Sequence, residues 1–154
     1  MKTEKEKAIN SNKKAYFNYQ IMEKIECGIQ LKGTEIKALR IQGCNLSESY
    51  VKIQNKEAFI CQMEIPLYKY GNIENHEPFR KRKLLLHKKE IAHINNEMER
   101  QTLSCIPLKI YLTRGLAKVL IGMGKGKKLH DKRDSIKKRE ANKDINRAMK
   151  YQNR

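Results

Sequence analysis

The sequence predicts a mainly β protein: a small antiparallel barrel or sandwich with two or three flanking helices and a basic C-terminal tail. Three observations lead to this fold class. Short stretches of alternating apolar and polar residues outnumber helical patterns, two connections between them are short enough for hairpins, and the strand–helix–strand rhythm of a parallel sheet is missing. Closing such a sheet removes the edges through which strands aggregate. We divide the chain into a flexible N-terminus (1–12), one folded body (13–124) and the tail (125–154).

The N-terminal third contains one predicted strand and one predicted helix. The first dozen residues are polar and are expected to fray. The stretch YQIMEKIECGIQL alternates apolar and polar positions, which predicts a strand. In GTEIKALRIQG, Thr34 is placed to cap a short helix, Glu35 lies in the favourable first turn, and Gly43 is a stop signal.

The middle of the chain predicts a hairpin, a loop and a second helix. SYVKIQ and EAFICQMEI flank Asn55 and Lys56, a two-residue connection typical of a hairpin. The Gly- and Asn-containing segment YKYGNIENHEPFRKRK is predicted to be a loop. In LLLHKKEIAHINNEMERQ, charged residues separate apolar ones at helical spacing, which predicts an amphipathic helix of about a dozen residues. The apolar positions are Leu84, Ile91, Ile94 and Met98.

The last third predicts a second hairpin followed by the tail. LSCIPLKIYLT and LAKVLIGMG alternate on either side of Arg114 and Gly115, and Pro107 indicates an exposed edge in this hairpin. The tail has too thin an apolar stripe to bury much surface, so we expect it to be disordered when free and helical on a target. The stripe consists of Ile136, Ala141, Ile145, Ala148 and Met149.

The composition favours a polyanionic partner. The chain carries 34 Lys and Arg against 17 Asp and Glu, a formal net charge of +17, and such a self-repelling surface suits nucleic acid. An apolar leader and a membrane-spanning run are both missing, which predicts a cytosolic protein that binds no membrane. Four scattered cysteines without metal-ligand spacing are interpreted as reduced, buried thiols. They are Cys27, Cys44, Cys61 and Cys105.

The sequence offers little chemistry for an enzyme. His130 beside Asp131 is the one adjacent pair that suggests acid–base catalysis, but it falls in a Lys- and Gly-rich segment with little core to hold it rigid. We therefore expect no catalysis. The other histidines share no metal-ligand spacing, and the alternating glycines at 122, 124 and 126 follow no nucleotide-binding pattern, so no metal or cofactor is expected. These histidines are His76, His87 and His93; His87 is interpreted as a helix cap and the glycines as flexibility.

Four basic clusters point to RNA. They are NKK at 12–14, RKRK at 80–83, HKK at 87–89, and the tail. A single charge run is usually a solvated face, but aromatic residues lie near two of these clusters, which suits phosphate contact combined with base stacking. The aromatic residues are Tyr16, Phe17, Tyr19 and Phe79, with core packing an equal alternative for Tyr19. Because no motif for reading a DNA groove is present, RNA is favoured over DNA.

Several long motifs occur in a fixed order between about Asn12 and Met149: NKKA, ECGIQLKGTEIKALR, NLSESY, PFRKRKLLLHKKEI, PLKIYLTRGLAKV and GKGKKLHDKRDSIKKRE. In these motifs the chain resembles the small protein B (SsrA-binding protein) family of bacterial trans-translation. The resemblance implies an OB-like β barrel that binds the tRNA-like domain of transfer-messenger RNA, and a basic tail that enters the small ribosomal subunit. It implies no catalysis, a monomer, and elongation factor and alanyl-tRNA synthetase as indirect partners.

The resemblance also implies which residues bind. Those expected to contact transfer-messenger RNA or support its site are Asn12, Lys13, Lys14, Glu26, Glu35, Lys37, Arg40, Lys83, Leu85 and Lys118. The tail is expected to form a helix in the empty mRNA channel near the decoding centre, with His130 stacking on a base. Its matching residues are Lys127, Lys128, His130, Asp131, Lys132, Arg133, Ile136, Lys137 and Arg139. Tyr16, Phe17 and Gln20 depart from the family pattern.

Two alternatives to this adaptor function stay open. A general ribosome-associated RNA chaperone would show little preference between a tRNA-like RNA and a random hairpin. An RNA-processing enzyme would use His130 and Asp131, a hypothesis motivated only by their adjacency.

Overall fold

The computed structural model describes residues 6–153 of the chain. Seven strands and four α-helices follow one another along these residues, with one 3-10 turn between the fourth and fifth strands. In chain order they are β1 (Lys7–Ser11), α1 (Lys13–Asn18), β2 (Tyr19–Ile29), α2 (Gly33–Gln42), β3 (Tyr50–Gln54), β4 (Glu57–Cys61), the 3-10 turn (Asn72–Glu74), β5 (Arg82–Leu85), α3 (Lys88–Gln101), β6 (Ser104–Thr113), β7 (Leu116–Gly126) and α4 (Leu129–Gln152).

The strands form one antiparallel sheet in the order β1-β6-β7-β2-β5-β4-β3. The mainly β fold with several flanking helices is therefore confirmed. β3 lies close to β6, but no hydrogen-bonded pairing joins them in the described part of the chain, so closure of the barrel is not confirmed. The OB-like label stays a prediction.

Both predicted hairpins are confirmed. Asn55 and Lys56 have φ of 52° and 59° between β3 and β4, the left-handed pair that a tight two-residue hairpin turn needs. Arg114 (φ 51°) and Gly115 (φ 75°) join β6 to β7 in the same way. Lysine at the second position of the first turn is tolerated despite its Cβ, because the ten residues of the two paired strands hold the turn in place.

Two predictions for the N-terminal part need correction. The expected frayed segment contains β1, which pairs with β6; residues 1–5 lie outside the described residues. The helix α2 begins at Gly33, with Lys32 as the N-cap residue, and not at a Thr34 cap. The Thr34 hydroxyl instead forms a hydrogen bond of 2.9 Å with Nδ1 of the buried His76. Gly43 ends this helix as predicted, with φ of 75°.

Two further corrections concern strands. Arg82 and Lys83, the last residues of the predicted loop, belong to β5. Leu84 also belongs to β5 and not to the helix, which begins only at Lys88 after His87 at its N-cap. The strand β5 has only four residues, too few for an alternation of apolar and polar residues to be recognised in the sequence. Pro107 is buried at a bulge in β6, a strand that lies between β1 and β7 and is not an edge. The proline is accommodated because the β1 ladder begins only at Lys109.

The core lies between the inner face of the sheet and helices α2 and α3. Ala38 and Leu39 enter it from α2 and Ile94 from α3. A smaller cluster joins Ala15 of α1 to Ile106 and Leu108 of β6, and Tyr19 packs against it. Tyr19 therefore packs in the core, which was one of its two predicted roles. All four cysteines are free thiols; three are buried and Cys44 is half-buried. Burial raises the pKa of Cys27, Cys44 and Cys105 to about 12.

An ion pair between Glu35 and Arg82 lies inside this core, and both side chains are fully buried. Arg82 Nε donates to the Glu35 carboxylate, Nη1 donates to the Met63 carbonyl (2.7 Å), and Nη2 donates to the Pro78 carbonyl (3.0 Å). The second carboxylate oxygen accepts from Arg80 Nη2. The pair therefore ties α2, β5 and both ends of the loop between β4 and β5 together.

The pKa of Glu35 is lowered although the group is buried. Burial alone raises the pKa of a carboxyl group, because it penalises the charged form. Hydrogen bonds from Arg82, from the Lys32 backbone and from Arg80 outweigh that effect. Burial lowers the pKa of Arg82, and Glu35 opposes the shift. Removal of either partner would leave an uncompensated charge in the core.

The alternating glycines of β7 have steric roles that the flexibility interpretation missed. A Cβ at Gly124 would lie 2.6 Å from the Gln20 carbonyl oxygen, and one at Gly122 would lie 2.7 Å from Leu108 Cδ1. Nothing lies within 4 Å of a Cβ at Gly126. The first two glycines therefore permit close packing of β7 against its neighbours.

Replacing Glu35 with Gln is expected to lower the free energy of unfolding by about 3–5 kcal/mol, because Arg82 loses its counter-charge inside the core. The control Glu57→Gln breaks an exposed ion pair with Lys83 (3.1 Å) and should cost less than about 1 kcal/mol. Urea unfolding measures both values. Equal losses in the two variants would show that the buried pair has no special weight.

The same pair makes the stability sensitive to acid. Since the folded-state pKa of Glu35 lies below its unfolded-state value, its contribution is complete above the unfolded pKa and is lost as the pH falls through the folded pKa. The wild-type protein should therefore lose stability more steeply than Glu35→Gln over this acidic range, as measured by urea unfolding at each pH.

Gly124→Ala is expected to destabilise the protein by about 1–3 kcal/mol, because the new methyl group overlaps the backbone of β2. Gly126→Ala adds the same methyl group to the same strand in open space, and should change the stability little. Thermal unfolding compares the two variants. A similar loss in both would refute the steric explanation.

Candidate nucleic-acid interface

Four of the predicted RNA-contact residues share the outer face of the sheet. The register places Gly28 of β2 opposite Leu85 of β5 on one side and Lys118 of β7 on the other. Glu26 lies two residues before Gly28, and Lys83 two residues before Leu85, so both point to the same face. Arg82 and Leu84 point to the core for the same reason. The alternation of the strands thus brings together residues that are far apart in sequence.

Gly28 lies between these side chains on the outer face. A Cβ at this position would lie 3.3 Å from the Leu85 side chain, so the glycine lets Leu85 pack against the backbone of β2. Leu85 is still 55% exposed, and Lys118 is half-buried. A carboxylate, an apolar side chain and an ammonium group therefore lie around Gly28 on one face, which can accept a hydrogen bond, contact a sugar or base, and neutralise a phosphate.

Tyr111 extends this face toward β1. It lies opposite Lys118, and its hydroxyl forms a hydrogen bond with the Glu26 carboxylate. Burial raises the pKa of Tyr111, and Glu26 raises it further, so the phenol stays protonated. Lys109 Nζ lies 5.0 Å from the centre of the Tyr111 ring. The hydrogen bond holds the Glu26 carboxylate in place on the outer face.

Sequence reasoning did not single out the residues that complete the outer face. Besides Tyr111 and Lys109, Phe59 lies opposite Lys83 and carries Lys81 Nζ 4.3 Å from its ring centre. Within one strand, the sequence could have identified further residues of this face, because residues two positions from Lys118 or Lys83 point to the same side of the sheet. Pairing partners on other strands are set by register, which the sequence does not display.

The NKK segment begins α1, and its first residue has a structural position. Asn12 is 5% exposed; its Nδ2 donates to the carbonyls of Leu46 and Pro107 (both 3.0 Å), and its Oδ1 accepts from Ala15 N. These contacts fasten α1 to β6 and to the segment before β3. Lys13 is exposed, and Lys14 forms a surface ion pair with Glu48. Asn12 thus positions the two lysines that follow it.

The three residues of α2 that were predicted to bind RNA lie in different surroundings. Glu35 points into the core, where both carboxylate oxygens are bound by arginines, so it can only support the site. Lys37 and Arg40 are exposed on the opposite side of the helix. Arg40 Nη2 donates to the Gly115 carbonyl (3.2 Å) at the turn between β6 and β7. Lys37 belongs to another surface than the outer face of the sheet.

The tail forms the helix α4, in which none of the described residues is buried. Its base is tied to the body: the backbone N of Lys127 donates to the Asn18 carbonyl (2.8 Å), and Nζ donates to the Tyr16 carbonyl (3.1 Å). The apolar side chains of Ile136, Ile145 and Met149 stay exposed. The predicted helical conformation is present, and its dependence on a target stays a prediction.

The tail residues matched by the resemblance divide between the base and the helix. Lys127 and Lys128 precede the helix, and its first three turns contain the other matched residues, which are His130, Asp131, Lys132, Arg133, Ile136, Lys137 and Arg139. His130 Nδ1 lies 3.9 Å from Asp131 and 3.4 Å from Asp134, and the His130 side chain is 83% exposed. These distances describe loose surface pairs and not a rigidly held catalytic dyad.

Across residues 6–153, no helix has both the length and the apolar character required to cross a membrane.

The sheet, the group of side chains around Gly28 and the exposed cationic helix define a small basic sheet protein with a helical arm. A model of the family described as "SmpB protein" matches residues 9–151. The chain belongs to this family.

Relatives and a solved structure agree with this assignment. An "SsrA-binding protein" of Thermosipho africanus (strain TCF52B) is 52% identical over 145 residues, covering 94% of this chain and 97% of that protein. One of Geotalea uraniireducens (strain Rf4) is 49% identical over 149 residues, covering 97% and 99%. A solved structure described as "tmRNA-SmpB: a journey to the center of the bacterial ribosome" is similar with a TM-score of 0.66 and 41% identity, covering 78% of this chain and 85% of that chain.

Proposed function

We propose that this protein is an RNA-binding adaptor that binds the tRNA-like domain of transfer-messenger RNA (SsrA RNA) and delivers it to stalled ribosomes for trans-translation. The observation that carries the proposal is the family match over residues 9–151, with relatives named for SsrA binding at about half identity over nearly the whole chain. The similar solved structure names tmRNA and the bacterial ribosome. The protein would act in the cytoplasm as a monomer, without a cofactor.

The outer face of the sheet is proposed to bind the tRNA-like RNA. Lys83 and Lys118 can meet phosphates, the Glu26 carboxylate can accept from a base edge or a 2′-hydroxyl, and Leu85 can contact an apolar ribose or base surface. Lys13 and Lys14 would extend the contact from α1. The mixture suits recognition of RNA shape, which relies on backbone and 2′-hydroxyl contacts more than on base reading.

The helix α4 is proposed to occupy the empty mRNA channel of the small ribosomal subunit near the decoding centre. None of its described residues is buried, and only Lys132 and Ser135 among them are half-buried, so most of the helix surface is available to rRNA. Lys127, Lys128, Lys132 and Arg133 would neutralise phosphates, and the exposed His130 could stack on a base. Among the described residues, the tail contacts the body near Lys127 and α1, and the rest of α4 extends away from it. The tail and the body can therefore bind different RNAs.

Lys118→Gln is expected to weaken binding of a tRNA-like transcript about fivefold to tenfold, because one phosphate contact opposite Gly28 is lost. The control Lys56→Asn removes the same charge at the turn between β3 and β4, where asparagine tolerates the φ of 59°. Filter binding or fluorescence anisotropy measures both affinities. If the control loses as much affinity as Lys118→Gln, net charge and not this face determines binding.

The same titrations distinguish the chaperone alternative. With about six phosphate contacts, the log–log slope of affinity against salt should be near −4, at about −0.7 per contact on the single-strand scale. A preference for the tRNA-like transcript over an unrelated hairpin that persists at moderate salt supports the adaptor. Equal affinities would favour a general RNA chaperone, and RNA turnover by the purified protein would revive the hypothesis of an enzyme using His130 and Asp131.

Truncation after Lys128 should leave binding of the tRNA-like transcript nearly unchanged and abolish tagging of stalled nascent chains. The truncated chain keeps the Lys127 contacts with α1 and removes only α4, whose described residues are all unburied. A chain that ends at Lys150 is the matched control and should stay active. A reconstituted translation reaction measures tagging. Equal loss of RNA binding and tagging in the first truncation would contradict the proposed division of labour.

A further inference from the structure

A cleft of about 370 Å³ lies between the start of α2 and the loop that connects β4 to β5. This volume is within the range of small-ligand sites, roughly 300–1,000 Å³. The cleft is lined by lysines, tyrosines and one carboxylate, and the family resemblance assigned only Lys37 among them. The lining side chains used below are Lys32, Lys37, Tyr68, Tyr70 and Glu74.

Two tyrosine rings form one wall of the cleft. The centres of the Tyr68 and Tyr70 rings are 5.7 Å apart, with their planes at 74°. Tyr70 is 67% exposed, a large aromatic surface left open to solvent, while Tyr68 is half-buried and packs against the core. Lys37 Nζ lies 5.7 Å from the centre of the Tyr68 ring. An exposed ring supported by a second ring is a suitable stacking platform.

The loop that carries these rings is fastened by backbone contacts. The Asn75 side chain accepts from the Tyr68 backbone N (3.2 Å) and donates to the Tyr68 carbonyl (2.7 Å). Gly71 permits this arrangement, because a Cβ there would lie 2.6 Å from Asn75 Nδ2. The position of the rings therefore does not depend on the tyrosine side chains, and a substitution at Tyr70 should leave the loop intact.

The opposite wall supplies positive charge. Lys32 and Lys37 are both exposed, and within residues 6–153 neither ammonium group forms an ion pair. The nearby Glu35 does not neutralise them, because its carboxylate oxygens are bound by Arg80 and Arg82 in the core. The cleft thus places two cations without an ion pair across from the Tyr70 ring, with the acceptor Glu74 at its edge. Lys69 Nζ lies 5.7 Å from the centre of the same ring and adds a third positive charge beside it.

The cleft is separate from the outer face of the sheet. The helix α2 covers the inner side of the sheet and directs Ala38 and Leu39 into the core, so Lys37 on its exposed side faces away from Glu26 and Lys118. An RNA held against the outer face leaves this cleft free for a second contact.

We propose that the cleft binds one unpaired nucleotide of an RNA. The base stacks on Tyr70, the 5′ phosphate meets Lys32 and Lys37, and Glu74 accepts a hydrogen bond from an exocyclic amine or a 2′-hydroxyl. Paired nucleotides cannot reach Tyr70, because their base faces are covered by their neighbours. The inference rests on the proposed RNA-binding function and adds a second, single-strand-specific site to it.

Tyr70→Trp tests the proposal directly, since the chain contains no tryptophan and the variant introduces a single fluorescent reporter in the cleft. A short single-stranded RNA should quench its fluorescence, and a duplex of the same sequence should not. Adding a tRNA-like transcript or isolated small ribosomal subunits to the same variant identifies which RNA supplies the nucleotide. Absence of quenching by all of these single-stranded and structured RNAs, while anisotropy reports their binding, would overturn the proposal.

Tyr70→Leu is expected to weaken binding of the short single-stranded RNA about tenfold, since a stacked base is lost. The control Ile73→Ala alters a fully exposed apolar residue of the same loop that does not line the cleft, and should have little effect. Replacing Lys32 and Lys37 with Gln should make the salt slope shallower by about 0.7 per lost contact. Unchanged affinity and slope in these variants would also overturn the proposal.

The two proposals fail in different ways. If Tyr70→Leu and the wild-type protein bind all RNAs equally well, while Lys118→Gln still weakens the tRNA-like transcript, only the cleft is refuted. If the wild-type protein binds no RNA in any arm, the proposed function fails together with the cleft.

Discussion

The buried ion pair between Glu35 and Arg82 is the constraint on which both candidate surfaces depend. Arg82 anchors the first residue of β5 to the core, and the strand alternation then turns Lys83 and Leu85 outward beside Gly28. Glu35 anchors α2, which presents Lys37 to the cleft on its other side. The guanidinium group also bonds the carbonyls of Met63 and Pro78, which brackets the loop carrying the two tyrosines. One buried charge pair thus sets the orientation of two solvent-exposed sites.

A buried pair of this kind is costly to desolvate, and a pair of apolar side chains could fill the same volume. Its benefit here is that it fixes the relative orientation of the elements that it joins. A guanidinium group with five donors must be satisfied in a fixed plane, and its acceptors are the Glu35 carboxylate of α2 and the carbonyls of Met63 and Pro78 at the two ends of the loop. Apolar contacts would hold these elements together without specifying their register. Positioned binding residues require the specific arrangement.

The positive charge of the chain is distributed over three different structural settings. The outer face has cations placed by strand register, the cleft has exposed lysines beside a loop fastened by Asn75, and α4 has cations on a helix that buries none of its described residues. Rigid positions suit an RNA whose shape is fixed, whereas an unpacked helix can adapt to a channel. The attachment of Lys127 to α1 keeps the helix beside the body without restricting its far end.

The sequence by itself determined the features that local physics controls. Two hairpins, the end of α2 at Gly43, the loop before β5 and the amphipathic α3 follow from turn chemistry, capping and periodicity, and motif order was enough to identify the family. Tertiary structure alone decided what depends on partners distant in the chain. Lys7–Ser11 becomes a strand only because β6 offers it an edge, Glu35 turns inward only because Arg82 needs a counter-charge, and Gly124 is required only because Gln20 approaches it. A local pattern records the preferences of a residue for its neighbours in sequence, but not the identity of its neighbours in space.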